Sequence, residues 1–308
     1  MVLYKFTITI VIIFLTGCLA SPVFAKDINL VFAGDATFGG HYAVIAKESV
    51  KDPAWSFRNI KNILESADLV MVNCENAITE ADKKATKKFN FKMRPEQTEI
   101  FKHNNIGLVT IANNHVYDYG KEGLFDTIAN LDNFGIEHVG AGANLEQARI
   151  PVEKIINGKR LFFLAYGNYS PATATSPGVA YRNPKYVIED IRKAKAKGAD
   201  IVIVNFHWGV ERSTCPTKGD QSLAHLAIDN GADIIIGHHP HVIQPVEIYR
   251  GKIVAYSLGN FIFGGNSSGP REGMLIKVKI SPENTLSYEK IILSINPKFT
   301  RYRPIVMK

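Results

Sequence analysis

The chain has 308 residues, 46% of them hydrophobic and 21% charged, and a formal net charge of +7. These figures fit a globular protein of enzyme size, built as one large α/β domain or two small ones. Much of the positive charge sits in one segment, Lys83, Lys84, Lys87, Lys88, Lys92 and Arg94. No basic helix or RNA-binding motif accompanies it, so no nucleic-acid partner is expected. The segment reads either as a solvated loop or as a rim that attracts an anionic substrate or polymer.

Residues 1–25 read as an export signal rather than as part of the fold. Lys5 precedes a short apolar run, Phe6 to Leu15, and small residues follow, the pattern of a cleaved leader too short for a comfortable membrane span. Two processing sites compete. Leu15-Thr16-Gly17-Cys18 resembles a lipobox that would leave Cys18 lipid-anchored, whereas Val23-Phe24-Ala25 suits release of a soluble product beginning at Lys26. The soluble product is preferred. Either way the protein is expected in the periplasm or outside the cell, with residues 26–308 as a single domain.

From Ile28 the chain alternates strand and helix. Ile28 to Ala33 reads as a strand, 57–64 as a helix, and Leu69 to Val72 as a second strand. A helix is expected after Pro95, a strand at 107–111, and a helix over 120–134 that Gly135 stops. The second half repeats this with a strand at 161–166, a helix at 187–197, a strand at 201–205, a helix at 223–228 and a strand at 233–236. Beyond residue 241 strands dominate, at 242–248, 253–257, 274–280 and 288–295. That order predicts an α/β sandwich of two sheets with helices outside. Cys74 and Cys215 are the cysteines beyond the leader, and without a CxxC they offer a disulfide or two buried thiols.

Polar, chemistry-bearing residues gather at the carboxyl ends of the apolar strands. They are Asp35; Asn73 and Glu75; Asn113, Asn114, His115 and Asp118; His207 and Glu211; and the cluster Gly237-His238-His239-Pro240-His241. Parallel strands of one sheet deliver those ends to a common edge, so five such groups predict one site. Pro240 biases His239 towards extended backbone, which would point His239 and His241 to the same side. His103, His138 and His225 lie off this pattern and read as surface or packing residues.

Carboxylates, imidazoles and an amide oxygen without thiolate suit Mn, Fe or Zn, as one or two divalent ions. A bridging carboxylate can hold two ions about 3.5–4 Å apart, the arrangement used for in-line attack on phosphorus. His115, beside such ions, is placed to protonate a leaving oxygen, and Asp118 to orient its ring.

Taken in order, Gly34-Asp35, Asn73-x-Glu75, Ala112-Asn113-Asn114-His115-x-x-Asp118-x-Gly120, His207-Trp208-Gly209, Gly237-His238-His239-Pro240-His241-Val242 and Ser257-Leu258-Gly259-Asn260-Phe261 resemble the CapA family. Those are exported bacterial proteins linked to poly-γ-glutamate capsule synthesis, whose domain is similar to calcineurin-like metallophosphoesterases. The resemblance spans about residues 28 to 265 and implies a metallophosphatase-like αββα sandwich of two mixed β-sheets flanked by helices. It further implies Asp35, Glu75, Asn114, His207, His239 and His241 as metal ligands, Glu75 bridging, and His115 with Asp118 as the catalytic pair. Asn73, Asn113, Glu211, Asn260 and His41 are the expected substrate contacts. One position departs from the phosphoesterases, whose first motif is Asp-x-His. Here Asp35-Ala36-Thr37 puts threonine at the histidine position, so one ion would lose a nitrogen ligand unless His41 or a carboxylate replaces it. His41 also stands where many CapA-like sequences carry arginine.

The expected activity is metal-dependent hydrolysis or transfer on a phosphoester or on an anionic cell-envelope polymer. The alternative is a non-catalytic, polymer-holding component of a capsule assembly machine, and membrane-bound capsule synthase components are candidate partners for either.

Overall fold

The apolar runs form strands that are covered on both faces. Along Lys159–Tyr166, the residues Leu161, Phe163 and Ala165 enter the layer between two sheets, while Phe162, Leu164 and Tyr166 face helices. Ile201 and Ile203 divide from Val202, Val204 and Phe206 in the same way along Ile201–His207. A continuous apolar run split with period two is what a strand buried on both sides requires. Each of these large side chains contributes about 1.5–3 kcal/mol on leaving water. The computed structural model describes residues 26–38, 48, 51–263, 271–296 and 303–307. The expected leader at 1–25, Cys18 within it, and the expected contact at His41 lie outside the described residues.

The larger sheet runs in the order Ile305–Val306, Leu286–Ser294, Glu272–Ile280, Ile28–Ala36, Leu69–Cys74, Ile106–Thr110, Glu137–Val139, with Asn260–Ile262 added beside Ile28–Ala36. The second runs Val246–Tyr249, Lys252–Ala255, Ile234–His238, Ile201–His207, Lys159–Tyr166, Val152–Ile156. The larger sheet has antiparallel strands on one side of its parallel strands and the second has them at both edges, so both sheets are mixed. Pro184–Ala196 and Lys218–Asp229 cover the second sheet through Val187, Ile191, Leu223 and Ala227. Gly120–Asn133 and Glu99–His103 pack on the larger one through Leu124, Leu131, Ile100 and Phe101. The result is the αββα sandwich expected from the order of elements.

Several boundaries differ, each for a local reason. The helix expected from Leu223 begins at Lys218, because Thr217 and Asp220 form a reciprocal capping box. The helix expected from Val187 begins at Pro184, where Asn183 caps the Lys185 N–H. The run from Val242 yields a strand only at Val246–Tyr249. Val152–Ile156 is a half-exposed edge strand that its weak apolar pattern conceals. Cys74 is buried and Cys215 exposed, both as free thiols, so neither the disulfide nor a pair of buried thiols holds.

Two glycines set the approach of the strands that carry the site. A Cβ at Gly237 would lie 1.9 Å from the Tyr256 carbonyl oxygen, and one at Gly34 2.0 Å from that of Gly259. Any larger residue there would force apart the backbones that bring Asp35 and His238 to one edge.

Candidate metal centre

Strand register brings the site together. Parallel pairing sets Asp35 opposite both Asn73 and Asn260, and sets His207 opposite His238. Asp35, Asn73, His207 and His238 lie at strand carboxyl ends, and Asn260 opens the short strand Asn260–Ile262 beside them. Asp35, Glu75, Asn73 and Asn113 have no solvent exposure at all, and His207 and His239 are buried.

The expected ligands form two groups that share Glu75. Glu75, His207 and His239 offer ligand atoms within 4.8 Å of one another, and so do Asp35, Glu75 and His241. Asn114 joins the first group, its Oδ1 2.9 Å from His207 Nε2. Glu75 Oε1 and His239 Nδ1 are buried without hydrogen-bond partners. Buried polar atoms are normally paired, and the two orphans beside a carboxylate–imidazole cluster fit divalent cations. The donor set, oxygen and imidazole without thiolate, suits Mn, Fe or Zn.

Electrostatics agree with this reading. Burial would raise the Asp35 carboxyl, but the His238 and His241 contacts, at 3.3 and 3.2 Å, outweigh it and hold the group well below the usual carboxylate range. Burial first, then the Asp35 charge, pushes Glu75 well above that range. His241 loses by burial but gains more from Glu75 and Asp35, ending at about 9. Burial and the charge of His241 lower His239 to about 4, and burial with the charge of His239 holds His207 well below its ordinary value. Without a metal ion, His241 therefore serves as the cation, while His207 and His239 stay in the neutral form that ligates.

Beside the ligands, His115 Nδ1 lies 2.7 Å from Asp118 Oδ2. Burial lowers the imidazole, and Asp118 opposes that shift. Lys87 of the basic segment pairs with the other oxygen of Asp118 and donates to the Asn114 carbonyl at 2.7 Å. The Phe91 ring lies 4.3 Å from that of His115. Lys83, Lys84 and Lys88 are exposed on the same loop.

The expected substrate contacts divide. Asn73 donates to Asp35 Oδ1 at 2.8 Å and accepts from Asn113 Nδ2 at 2.9 Å, while Asn113 Oδ1 accepts the His115 and Val116 N–H groups. Both amides are spent on hydrogen bonds inside the protein, Asn73 on the candidate ligand Asp35 and Asn113 on Asn73 and the His115 backbone. Asn260, expected at the rim, is buried with Oδ1 3.0 Å from His241 Nδ1, and it orients that ring. Glu211 alone of the four is exposed, at the mouth. His239 and His241 are not extended: their φ angles are +97° and +58°. Non-glycine residues in that region are strained and cluster at functional sites. Their rings still converge, with centroids 6.0 Å apart. His103 is exposed, His138 pairs with Asp132 at 3.3 Å, and His225 stacks on Tyr249 and contacts Glu247, all away from the centre. Two neighbours carry no sequence signal. Tyr169 reaches His239 Nε2 at 3.3 Å from a loop, and Phe263 lies 4.5 Å from the His241 ring.

Comparisons with known proteins follow the same lines. The profile of the family described as "Bacterial capsule synthesis protein PGA_cap" matches residues 29–265. The chain is 33% identical over 281 residues to the capsule biosynthesis protein CapA of Bacillus anthracis, spanning 88% of this chain and 68% of that protein. It is 33% identical over 272 residues to the PGA biosynthesis protein CapA of Bacillus subtilis, spanning 86% and 71%. A phosphatase structure from Mycoplasma pneumoniae covers 88% of this chain and 95% of its own with a TM-score of 0.58 at 17% identity, a likeness of fold. The chain therefore belongs to the bacterial capsule synthesis protein family PGA_cap.

Proposed function

We propose that this chain is an exported, metal-dependent hydrolase or transferase of capsule synthesis, acting on a phosphoester or on a bond of an anionic cell-envelope polymer. One observation carries the reading: two candidate ligand groups share the buried Glu75, whose Oε1 has no hydrogen-bond partner, with the His115–Asp118 pair beside them. Asp35, Glu75 and His241 would hold one ion, and Glu75, Asn114, His207 and His239 the other. When bound, such ions supply Lewis-acid polarisation of the scissile group and activation of water.

The chain's own residues do the rest. Asp118 accepts a hydrogen bond from the Nδ1–H of His115, leaving Nε2 as the nitrogen that exchanges a proton with the leaving oxygen. Lys87 fixes the Asp118 carboxylate so that the ring keeps its orientation. The exposed Lys83, Lys84 and Lys88 raise the local concentration of an anionic substrate. Among the described residues no helix is long and apolar enough to cross a membrane. Contact with membrane-bound synthase components would then involve the leader or the protein surface.

The test is hydrolysis of an alkyl phosphodiester, whose leaving oxygen needs a proton, by the Mn-loaded protein beside His115→Ala. Turnover is expected to fall by about 10²–10⁴ with metal content unchanged. Equal turnover in the variant would remove His115 from the mechanism. A second reading, polymer binding without turnover, is favoured by Thr37 at the place of a ligand histidine. It predicts loss of polyglutamate binding when Lys83, Lys84 and Lys88 are neutralised, with no hydrolysis in any form of the protein.

A further inference from the structure

Glu211 stands on the loop after Ile201–His207, and that loop is tied to the histidine segment. Arg212 N–H donates to the Pro240 carbonyl at 2.8 Å, Trp208 N–H donates to that of His238 at 3.1 Å, and Gln244 Nε2 donates to that of Ser213 at 2.8 Å. Gly209 and Arg212, with φ of +86° and +63°, turn the chain on either side of Glu211. Its carboxylate is thereby brought to the ring nitrogens of His239 and His241, with all three ligand atoms within 4.8 Å of one another.

Those two histidines belong to different ligand groups, His239 with Glu75 and His207, His241 with Asp35 and Glu75. Glu75 thus reaches both from the buried floor, and Glu211 reaches both from the solvent side. A ligand is called for independently of Glu211, because Glu75 Oε1 and His239 Nδ1 are both buried without a hydrogen-bond partner. The Asp35–Glu75–His241 group has one imidazole to the other's two, and Thr37 supplies no nitrogen to it.

We infer that Glu211 is an outer ligand to the ion at Asp35, Glu75 and His241, taking the coordination position that Thr37 leaves without a nitrogen. The inference rests on the reading of this site as a metal centre. It makes the two positions chemically unequal. Three carboxylates and one imidazole select a hard ion such as Mn²⁺, whereas Glu75, Asn114, His207 and His239 also suit Zn²⁺ or Fe. It also accounts for a negative charge at the mouth of a site that is to receive an anion, since a bound cation neutralises it. In the absence of an ion, that charge adds to burial and Asp35 in pushing Glu75 up.

The experiment is calorimetric Mn²⁺ titration of metal-stripped wild-type protein, Glu211→Gln, Glu211→Asp and His207→Ala, with thermal melting of each as a fold control. Wild type is expected to bind two equivalents. Glu211→Gln should weaken one step by about tenfold or more, the step that survives in His207→Ala, with Glu211→Asp intermediate. Two wild-type steps in Glu211→Gln would overturn the role of Glu211 and leave the metal centre standing. Failure of wild type to bind Mn²⁺ would overturn both.

Discussion

The Asn73 side-chain nitrogen lies 2.8 Å from Asp35 Oδ1, and the same nitrogen reaches Glu75 Oε2 at 3.4 Å. One amide therefore steadies Asp35 on the neighbouring strand and Glu75 just past the end of its own, and Asn113 in turn steadies the amide. Such supports orient ligands without touching the ion.

Asn73→Ala is accordingly expected to weaken divalent-metal binding by about 10–100-fold. It should also cost about 1–3 kcal/mol of stability, because an Asn113 donor and an Asp35 oxygen lose a buried partner. Competition titration against a chelating dye measures the first effect and urea unfolding the second. Wild-type affinity in a folded variant would show that Asn73 is mere filling.

Lys87 pairs with Asp118, whose side chain is wholly buried. Lys87→Met removes that partner and is expected to destabilise the protein by about 1–3 kcal/mol, the lysine being partly exposed and its pair partly screened. Neutralising the exposed Lys84 instead should leave stability within about 0.5 kcal/mol of wild type. Equal melting of the two variants would mean that the Lys87–Asp118 pair contributes nothing.

His138, remote from the centre, gives a pH dependence free of metal. Burial holds its ring below the ordinary imidazole value of 6.5, against the pull of Asp132. The unfolded chain therefore takes up this proton first as pH falls. The contribution of His138 to stability is complete above pH 6.5 and is lost as pH drops from there through the lower folded value. His138→Gln should flatten the loss of stability just below pH 6.5, measured by urea unfolding at stepped pH. An unchanged slope would place that acid sensitivity elsewhere.

Much of the fold was legible because burial on both faces leaves continuous apolar runs. Ile201 to Asn205 and Ile234 to Ile236 need no partner to be recognised. The edge strand Val152–Ile156 alternates polar and apolar weakly and escapes such a reading. Thr217 and Asp220 did carry a capping signal that would have placed the helix start correctly.

At the site, residue types at strand ends pointed to the carboxylates and histidines that the structure gathers at one edge, since parallel strands must share an edge. The conformations of His239 and His241 were not legible. Pro240 argues for extended backbone at His239, and only tertiary packing at Gly237 and the Arg212–Pro240 bond imposes the positive φ. Nor could sequence separate an amide that meets substrate from one that holds a ligand. Asn73, Asn113 and Asn260 are told apart only by where their partners sit.

The central claim is a divalent-metal centre built on Glu75. It is tested most directly by elemental analysis of the protein purified without chelators, beside His239→Ala. The account predicts close to two equivalents of Mn, Fe or Zn in wild type and a clear loss in the variant. Absence of metal from the wild-type protein, persisting after reconstitution with each ion, would contradict it.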